Sequence, residues 1–152
     1  MKENNNEEEV SVSFSVCTVA INDKPFELML NTSLIDDTNK SEYRMIWTIT
    51  LQSFINDENG LPREDEKATL MNCFRAAIQR IIKHSEIKII GTSLHNGLYD
   101  IMFYGKEEDM KEIGGNVAEL PEYIEDRKGR FKNFNGEPDP DWENYNMLLQ
   151  AF

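Results

Sequence analysis

Residues 87–105, IKIIGTSLHNGLYDIMFYG, contain two apolar stretches on either side of Asn96 and Gly97. Asn-Gly between two such stretches is the strongest short-range signal for a β-hairpin, because a type I′ turn needs positive φ at both central residues. The sequence therefore predicts a strand over 87–94, a tight turn, and a second strand over 98–104. A two-stranded hairpin is only marginally stable in water, so neighbouring segments must cover it.

An amphipathic helix is predicted before this hairpin. Apolar residues recur at steps of three and four over residues 70–82, which is the spacing of one helix face. Three acidic residues, 64–66, stand near the start of this segment, and Lys83 and His84 stand near its end. Both placements suit the helix dipole, so we predict a helix over 63–84 whose apolar side lies on the sheet.

A third strand is predicted before the helix, in residues 43–55, YRMIWTITLQSFI. Apolar and aromatic residues alternate from Tyr43 to Leu51, which is the pattern of a strand with one buried face. Ile46 belongs to the other face and indicates that this face is partly covered as well. The turn residues of segment 56–62, NDENGLP, end the strand.

The N-terminal part of the chain predicts another hairpin. Residues 10–17 alternate between apolar and small polar side chains, with Phe14 and Val16 on the apolar side of a half-buried strand. The turn residues INDKP follow, and the alternation then resumes, so we predict a hairpin over 10–31. Residues 1–9, MKENNNEEE, lack apolar periodicity and are predicted to form a disordered acidic tail.

Two more elements are predicted after the central hairpin. Segment 106–120, KEEDMKEIGGNVAEL, begins with acids and carries apolar residues at helical spacing, although its Gly-Gly pair favours an early end. Segment 127–135, RKGRFKNFN, predicts a last strand with Phe131 facing inward. Its basic residues suit an exposed sheet edge, where charge blocks edge-to-edge aggregation.

The predicted order from residue 43 is strand, helix, strand, strand, helix, strand. With right-handed crossovers, this order indicates an α+β fold, a ferredoxin-like βαββαβ sandwich over residues 43–135. The N-terminal β-hairpin is an addition to that core, and a short C-terminal helix over 138–152 follows it. Residues 10–152 are therefore expected to form a single domain, which suits a chain of 152 residues.

The chain closes on residues 137–152, EPDPDWENYNMLLQAF. The two prolines hold the backbone extended, and an aspartate of the Asp-Pro-Asp motif can cap a short helix. Trp142, Tyr145 and Phe152 then fall on one side of that helix. This side either docks on the domain itself or binds in the groove of a partner, and the three aromatic residues are the candidate interaction residues.

The charge balance restricts the possible partners. Lys and Arg number 16 against 28 Asp and Glu, so the formal net charge is -12. Such a charge repels phosphate backbones and anionic membranes, which argues against direct nucleic-acid or membrane binding. No apolar stretch approaches the length of a membrane span, no signal peptide is evident, and two cysteines without a metal or disulfide pattern suit a reduced state. We therefore expect a cytoplasmic protein.

No motif in the sequence indicates a catalytic, metal or cofactor site. The histidines, His84 and His95, lie at a helix end and beside a turn, and neither is paired in sequence with a nucleophile. His95 and Asp100 stand on opposite arms of the central hairpin, but two ligands make only a weak metal site. We therefore expect no cofactor. An alternative, a small-ligand-binding protein or an enzyme, would assemble its site from Asp100, Tyr104, His95 and Trp142.

Several motifs together resemble a bacterial family, domain-of-unknown-function family six-nine-five. The motifs are WTITLQ, NDENGLPREDE, GTSLHNGLYDIMFYG and PDPDWENYNMLL, and the resemblance runs from about Cys17 to Leu149. It implies a ferredoxin-like fold and transfers no catalytic residue. The tail with its Asp-Pro, Trp and Tyr is also similar to one in proteins related to regulator of ribonuclease activity B, an inhibitor of ribonuclease E. That similarity is an analogy at the level of the fold.

These observations favour a non-enzymatic cytoplasmic protein that serves as an acidic protein-interaction or regulatory module. Complementary charge would let it bind a basic protein surface, such as the RNA-binding surface of a processing enzyme. Assembly through an exposed sheet edge is a third possibility. The sequence names neither the partner nor the oligomeric state.

Overall fold

The computed structural model describes residues 13–83 and 85–152, which form a β-sheet with α-helices. The predicted acidic tail over 1–9, residues 10–12 of the predicted hairpin, and His84 lie outside the described residues. The strands are β1 Phe14–Ile21, β2 Lys24–Asn31, β3 Met45–Ser53, β4 Ile87–His95, β5 Leu98–Gly105 and β6 Gly129–Pro138. The α-helices are α1 Lys67–Ile82, α2 Met110–Ala118 and α3 Glu143–Leu149. The predicted α+β fold is confirmed.

The described strands form one sheet in the order β1-β2-β4-β5-β3-β6, and every neighbouring pair is antiparallel. β3 lies between β5 and β6, so Trp47 has Phe103 on one side and Gly136 on the other. A Cβ added at Gly136 would lie 2.8 Å from the Trp47 ring, which is closer than real Cβ atoms come. Glycine at this position therefore makes room for the indole.

One side of the sheet, called the first face, is covered by α1 and α2. Trp47, Ile49 and Phe103 are buried there. The residues of α1 that pack against them recur at helical spacing: Leu70, Phe74, Ile78 and Ile81. Ile113 and Val117 of α2 complete this core. The predicted packing of the helix on the central strands is confirmed.

The opposite side of the sheet, called the second face, has a core of its own. Its buried members come from the strands, from the segment after β2 and from the C-terminal segment: Leu30, Leu34, Tyr43, Ile46, Ile90, Tyr104, Trp142 and Tyr145. Ile46 is only 5% exposed, so the interpretation that both faces of β3 are covered is confirmed. The C-terminal segment therefore acts as the lid of the second core.

The Asn96-Gly97 turn has the backbone geometry that its sequence predicts, and the turn of the N-terminal hairpin has the same geometry. Asn96 and Gly97 have φ values of 49° and 82°, and Asn22 and Asp23 have values of 53° and 66°. Two consecutive positive φ values are the mark of a type I′ turn, whose twist matches that of the flanking strands. The register of the two hairpins follows from these turns.

The N-terminal hairpin differs from the expectation in its burial. Phe14 and Val16 alternate with polar residues as predicted, but they are 44% and 62% exposed. β1 is an outer strand, and the core of the first face contains described residues of β4 but none of β1 or β2. The alternation therefore predicted the strand correctly and its buried face wrongly.

The observed helix bounds differ from the predicted ones at ends that carry no apolar pattern. The acidic residues before α1 form a separate 3-10 turn, Glu64–Glu66. α2 continues through Gly114 and Gly115 to Ala118, because burial on the first face outweighs the low helix propensity of glycine. α3 is shorter than predicted and begins only at Glu143, after the Asp-Pro-Asp turn.

Replacement of Trp142 by alanine tests the lid of the second core. Trp142 is 1% exposed, so its removal leaves a large cavity and we expect a loss of about 3–5 kcal/mol in the free energy of unfolding. Met147→Ala in α3 is the control, since Met147 is 61% exposed and its truncation should change stability by less than about 0.5 kcal/mol. Urea denaturation measures both, and equal effects would contradict the buried position of the indole.

Candidate functional site

The position of the lid depends on one carboxylate, that of Asp139, which is 6% exposed. The Tyr104 hydroxyl donates to its Oδ2 at 2.6 Å. The backbone N–H of Glu143 donates to Oδ1 at 2.9 Å, and the backbone and side-chain N–H groups of Asn144 donate to Oδ2 at 3.0 and 2.9 Å. Asp139 thus satisfies the first turn of α3 and ties that turn to β5.

The hydrogen bonds set the protonation states of this pair. Burial alone would raise the pKa of Asp139, but the bonds from Tyr104 and Asn144 hold the pKa below its ordinary value. Burial, together with the hydrogen bond to Asp139, raises the pKa of Tyr104 well above that of a free phenol. The pair is therefore an ionised carboxylate and a neutral phenol across the physiological range, with no proton to exchange near neutral pH.

Aromatic rings fill the space beside Asp139. The rings of Tyr104 and Trp142 stack with centroids 4.0 Å apart at an interplanar angle of 6°, and Tyr145 meets the indole edge-on at 5.4 Å. Trp142 Nε1 donates to the carbonyl of Tyr43 at 2.8 Å. The Tyr145 hydroxyl donates to the carbonyl of Asn31 at 2.6 Å. Every polar atom of these two side chains is thereby used within the domain.

The C-terminal aromatic residues thus dock on the domain itself, which is the first of the two predicted alternatives. Trp142 and Tyr145 are 1% and 0% exposed, whereas Phe152 is 49% exposed. A side chain that is fully buried in its own domain cannot contact a partner. Of the three candidate interaction residues, Phe152 is the one whose ring a partner can reach.

A second carboxylate, Asp100, lies on the second face beyond the lid's aromatic cluster. Thr50 Oγ1 donates to its Oδ1 at 2.5 Å, and the Ser93 hydroxyl also hydrogen-bonds to it. Burial raises the pKa of Asp100 above its ordinary value, and these two hydrogen bonds only partly offset that effect. Among the described residues no Lys or Arg forms an ion pair with it.

His95 has separate contacts of its own. Its Nδ1 lies 3.1 Å from the carbonyl oxygen of Pro25, and its ring lies 5.7 Å from that of Phe26. The four residues of the alternative site therefore do not converge: Tyr104 and Trp142 stack on each other, while Asp100 and His95 each have other partners. The residue types suit a binding site, but the sequence does not show that their side chains are already used in structural contacts.

Two clefts in the described part of the structure lie away from those four residues. One, of about 840 Å³, lies between the β2–β3 segment and the end of α1, and it contains Asp37, Tyr43 and Lys88. Lys88 donates to Asp37 at 2.8 Å and lies 4.7 Å from the centre of the Tyr43 ring. The other, of about 320 Å³, has mostly apolar walls between α1 and segment 120–131. Within the larger cleft, Asp37 and Lys88 thus neutralise each other, while Glu86 pairs with Lys106 at 3.0 Å.

Neither a metal-binding group nor a membrane-crossing helix is present in the part of the chain that the structure describes. Within residues 13–83 and 85–152, no three His, Cys, Asp or Glu side chains are grouped so that they could hold a metal ion. No helix in the same residues is long and apolar enough to cross a membrane.

Replacement of Asp139 by asparagine tests the carboxylate that holds the lid. Since the folded-state pKa of Asp139 is lowered, ionisation stabilises the fold fully above the ordinary value of 3.8, and this stabilisation is lost as the pH falls through the lowered pKa. We expect Asp139→Asn to lose about 1–3 kcal/mol at pH 7 and less at acid pH. Urea denaturation between pH 7 and acid pH measures the effect, and Asp141→Asn, at an exposed position, is the control. If both variants were as stable as the parent chain, the assignment would be contradicted.

Asp100→Asn should have the opposite effect. The folded-state pKa of Asp100 is raised, so ionisation disfavours the fold, and this cost develops as the pH rises from 3.8 through the raised value. The amide oxygen of asparagine still accepts the hydrogen bond from Thr50. We expect the variant to be more stable than the parent at pH 7 and equal to it at pH values below about 3.8. Denaturation curves that show a loss of stability at pH 7 would overturn this expectation.

Comparison with known proteins agrees with the resemblance read from the motifs. Residues 13–149 match a family of unknown function, DUF695, so the match covers nearly the whole chain. No curated protein and no solved structure matches the chain. The similarity of the tail to regulator of ribonuclease activity B stays a prediction, whereas the family is shown. The chain belongs to the DUF695 family.

Proposed function

We propose that this protein is a non-enzymatic, acidic interaction module of the cytoplasm that binds a basic surface on a partner protein. Three buried ionisable groups of its second face support this reading, because Asp139, Tyr104 and Tyr145 are all used in holding the lid. The groups that remain at the surface are mainly carboxylates, as the formal charge of -12 requires. A surface of this kind attracts a basic partner and speeds the encounter.

Two acidic turns are the proposed binding surface for the basic partner. Glu64–Glu66 and Glu107–Asp109 are 3-10 turns made entirely of carboxylates, and they precede α1 and α2. Within these turns, ion pairs to described residues involve Glu66 and Glu107, so the other carboxylates remain available to a partner. The turns lie at opposite ends of the helical side of the sheet. A partner that spans them would need basic groups at a matching separation.

The nature of the partner follows from charge. A basic, RNA-binding surface of a processing enzyme offers the complementary cations, and occupation by an acidic domain would keep RNA away from it. Nucleic acid itself is not a partner in this proposal, since its phosphates would be repelled.

The fold supports the same reading. We infer that residues 45–138 form a ferredoxin-like core, because β4, β5, β3 and β6 stand in that order with both crossover helices on the first face. The N-terminal hairpin then extends this sheet beyond β4, and α3 closes the second face. The fold provides a frame for surface recognition, while function depends on the groups that it presents.

Salt dependence is the test of the proposed function. Affinity capture from native extract at low and high salt identifies the partner, and calorimetry with the purified partner then measures the dissociation constant at roughly 50 and 200 mM salt. We expect affinity to fall on the order of tenfold over this range, because salt screens attraction between opposite charges. Affinity that does not change with salt would refute the proposal.

Charge reversal locates the surface. Asp65→Lys combined with Glu108→Lys changes both acidic turns and should weaken binding at least tenfold. Asp36→Lys combined with Glu137→Lys makes the same change in net charge at exposed positions outside the turns, and it is the matched control. A larger loss in the control than in the turn variant would show that the partner binds elsewhere.

A further inference from the structure

The two outer strands of the sheet differ sharply in charge. β6, the outer strand beside β3, contains Arg130, Lys132, Glu137 and Pro138, and its register shifts opposite Thr50. Charges, proline and a bulge are the features by which natural sheets prevent their edges from pairing with other chains. The β6 edge is therefore protected against association.

β1, the outer strand at the other end, lacks this protection. Its eight residues, FSVCTVAI, include no charged residue and no proline, although 29% of the whole chain is charged. Phe14 and Val16 are 44% and 62% exposed on one face, and Val19 and Ile21 are 46% and 41% exposed on the other. Both faces of the strand thus present apolar side chains to solvent.

The backbone of β1 is also available on its outer side. Thr32 N–H donates to the Ser13 carbonyl at 2.9 Å, which fixes the odd-numbered residues of β1 as those that bond to β2. The N–H and C=O groups of residues 14, 16, 18 and 20 consequently point away from β2. Among the described residues no strand lies on that side.

We propose that β1 pairs in antiparallel fashion with β1 of a second copy of this chain, which joins two sheets into one. Each copy carries a net charge of -12, so two copies can approach closely only where neither surface is charged, and β1 is such a surface. An antiparallel pair of identical strands is self-complementary, and a two-fold axis closes it as a dimer. A basic partner, by contrast, gains no electrostatic attraction from an uncharged strand.

The energetics indicate a dissociable dimer. In each copy, pairing would satisfy up to about eight outward backbone groups, the N–H and C=O groups of residues 14, 16, 18 and 20. It would also partly cover four apolar side chains per copy. The area buried by two strands lies at the low end for specific interfaces, so we expect dissociation at micromolar concentrations. Because both copies are acidic, salt should strengthen this association. Salt is expected to weaken the binding of a basic partner but to strengthen this dimer. The dimer and the proposed function can therefore each fail without the other.

Sedimentation equilibrium of the full chain tests the proposal. The apparent mass should rise from 17.7 kDa towards twice that value between roughly 1 and 200 µM, with a steeper rise at high salt. Val16→Lys adds a charge to the β1 edge at a position that is 62% exposed, and it should leave the chain monomeric. Phe134→Lys places the same charge on the β6 edge at a position that is 37% exposed, and it should dimerise like the parent chain.

Cross-linking provides the second readout. Cys17 lies near the middle of β1, so a short bismaleimide should link the two Cys17 thiols of a dimer in a Cys73→Ala background and should fail to do so when Val16→Lys is added. Circular dichroism confirms that each variant is folded. A parent chain that stays at 17.7 kDa under all conditions, a Val16→Lys variant that still dimerises, or a dimer that cannot be linked through Cys17 would each overturn the proposal.

Discussion

Asp139 accepts hydrogen bonds from the hydroxyl of Tyr104 and from both N–H groups of Asn144, and it also accepts one from the backbone of Glu143. These bonds join the start of a seven-residue helix to the central strand β5. A helix so short is unstable alone, so its position depends on this anchor and on the burial of Trp142 and Tyr145. If the anchor were lost, the helix that covers the second core would be held less firmly, by the burial of Trp142 and Tyr145 alone.

Two carboxylates on the same side of the sheet show how local donors decide protonation. Burial raises the pKa of both, yet that of Asp139 ends below its ordinary value and that of Asp100 above it. Asp139 receives backbone and side-chain N–H groups as well as a phenol, whereas Asp100 receives only hydroxyl groups. N–H donors at a helix start favour the charged form more strongly, which offsets the cost of burial. Ionisation of Asp139 therefore stabilises the fold, whereas ionisation of Asp100 disfavours it.

The features predictable from sequence are those that depend on neighbours in the chain. The Asn96-Gly97 turn, the apolar spacing of α1 and the isolated Ile46 all carry their evidence within a few residues. Whether the C-terminal helix docks on the domain or on a partner could not be decided in this way, because Trp142 Nε1 bonds to a carbonyl 99 positions away and Tyr104 bonds to Asp139 across 35 positions. The exposure of β1 was missed for a related reason: alternation marks a strand, but only the sheet order shows which strand is the outer one.

The lid and the uncharged edge are physically connected. The Cys17 thiol of β1 donates a long hydrogen bond, 3.6 Å, to the carbonyl of Ala151, just beyond α3. The chain therefore runs from the anchor at Asp139, across the second face, to the outer strand of the N-terminal hairpin. A change that releases α3 would also remove this hydrogen bond between the C-terminal residues and β1. Phe152 follows Ala151 in the chain and is 49% exposed, so an exposed aromatic ring stands next to the residue through which the lid contacts β1.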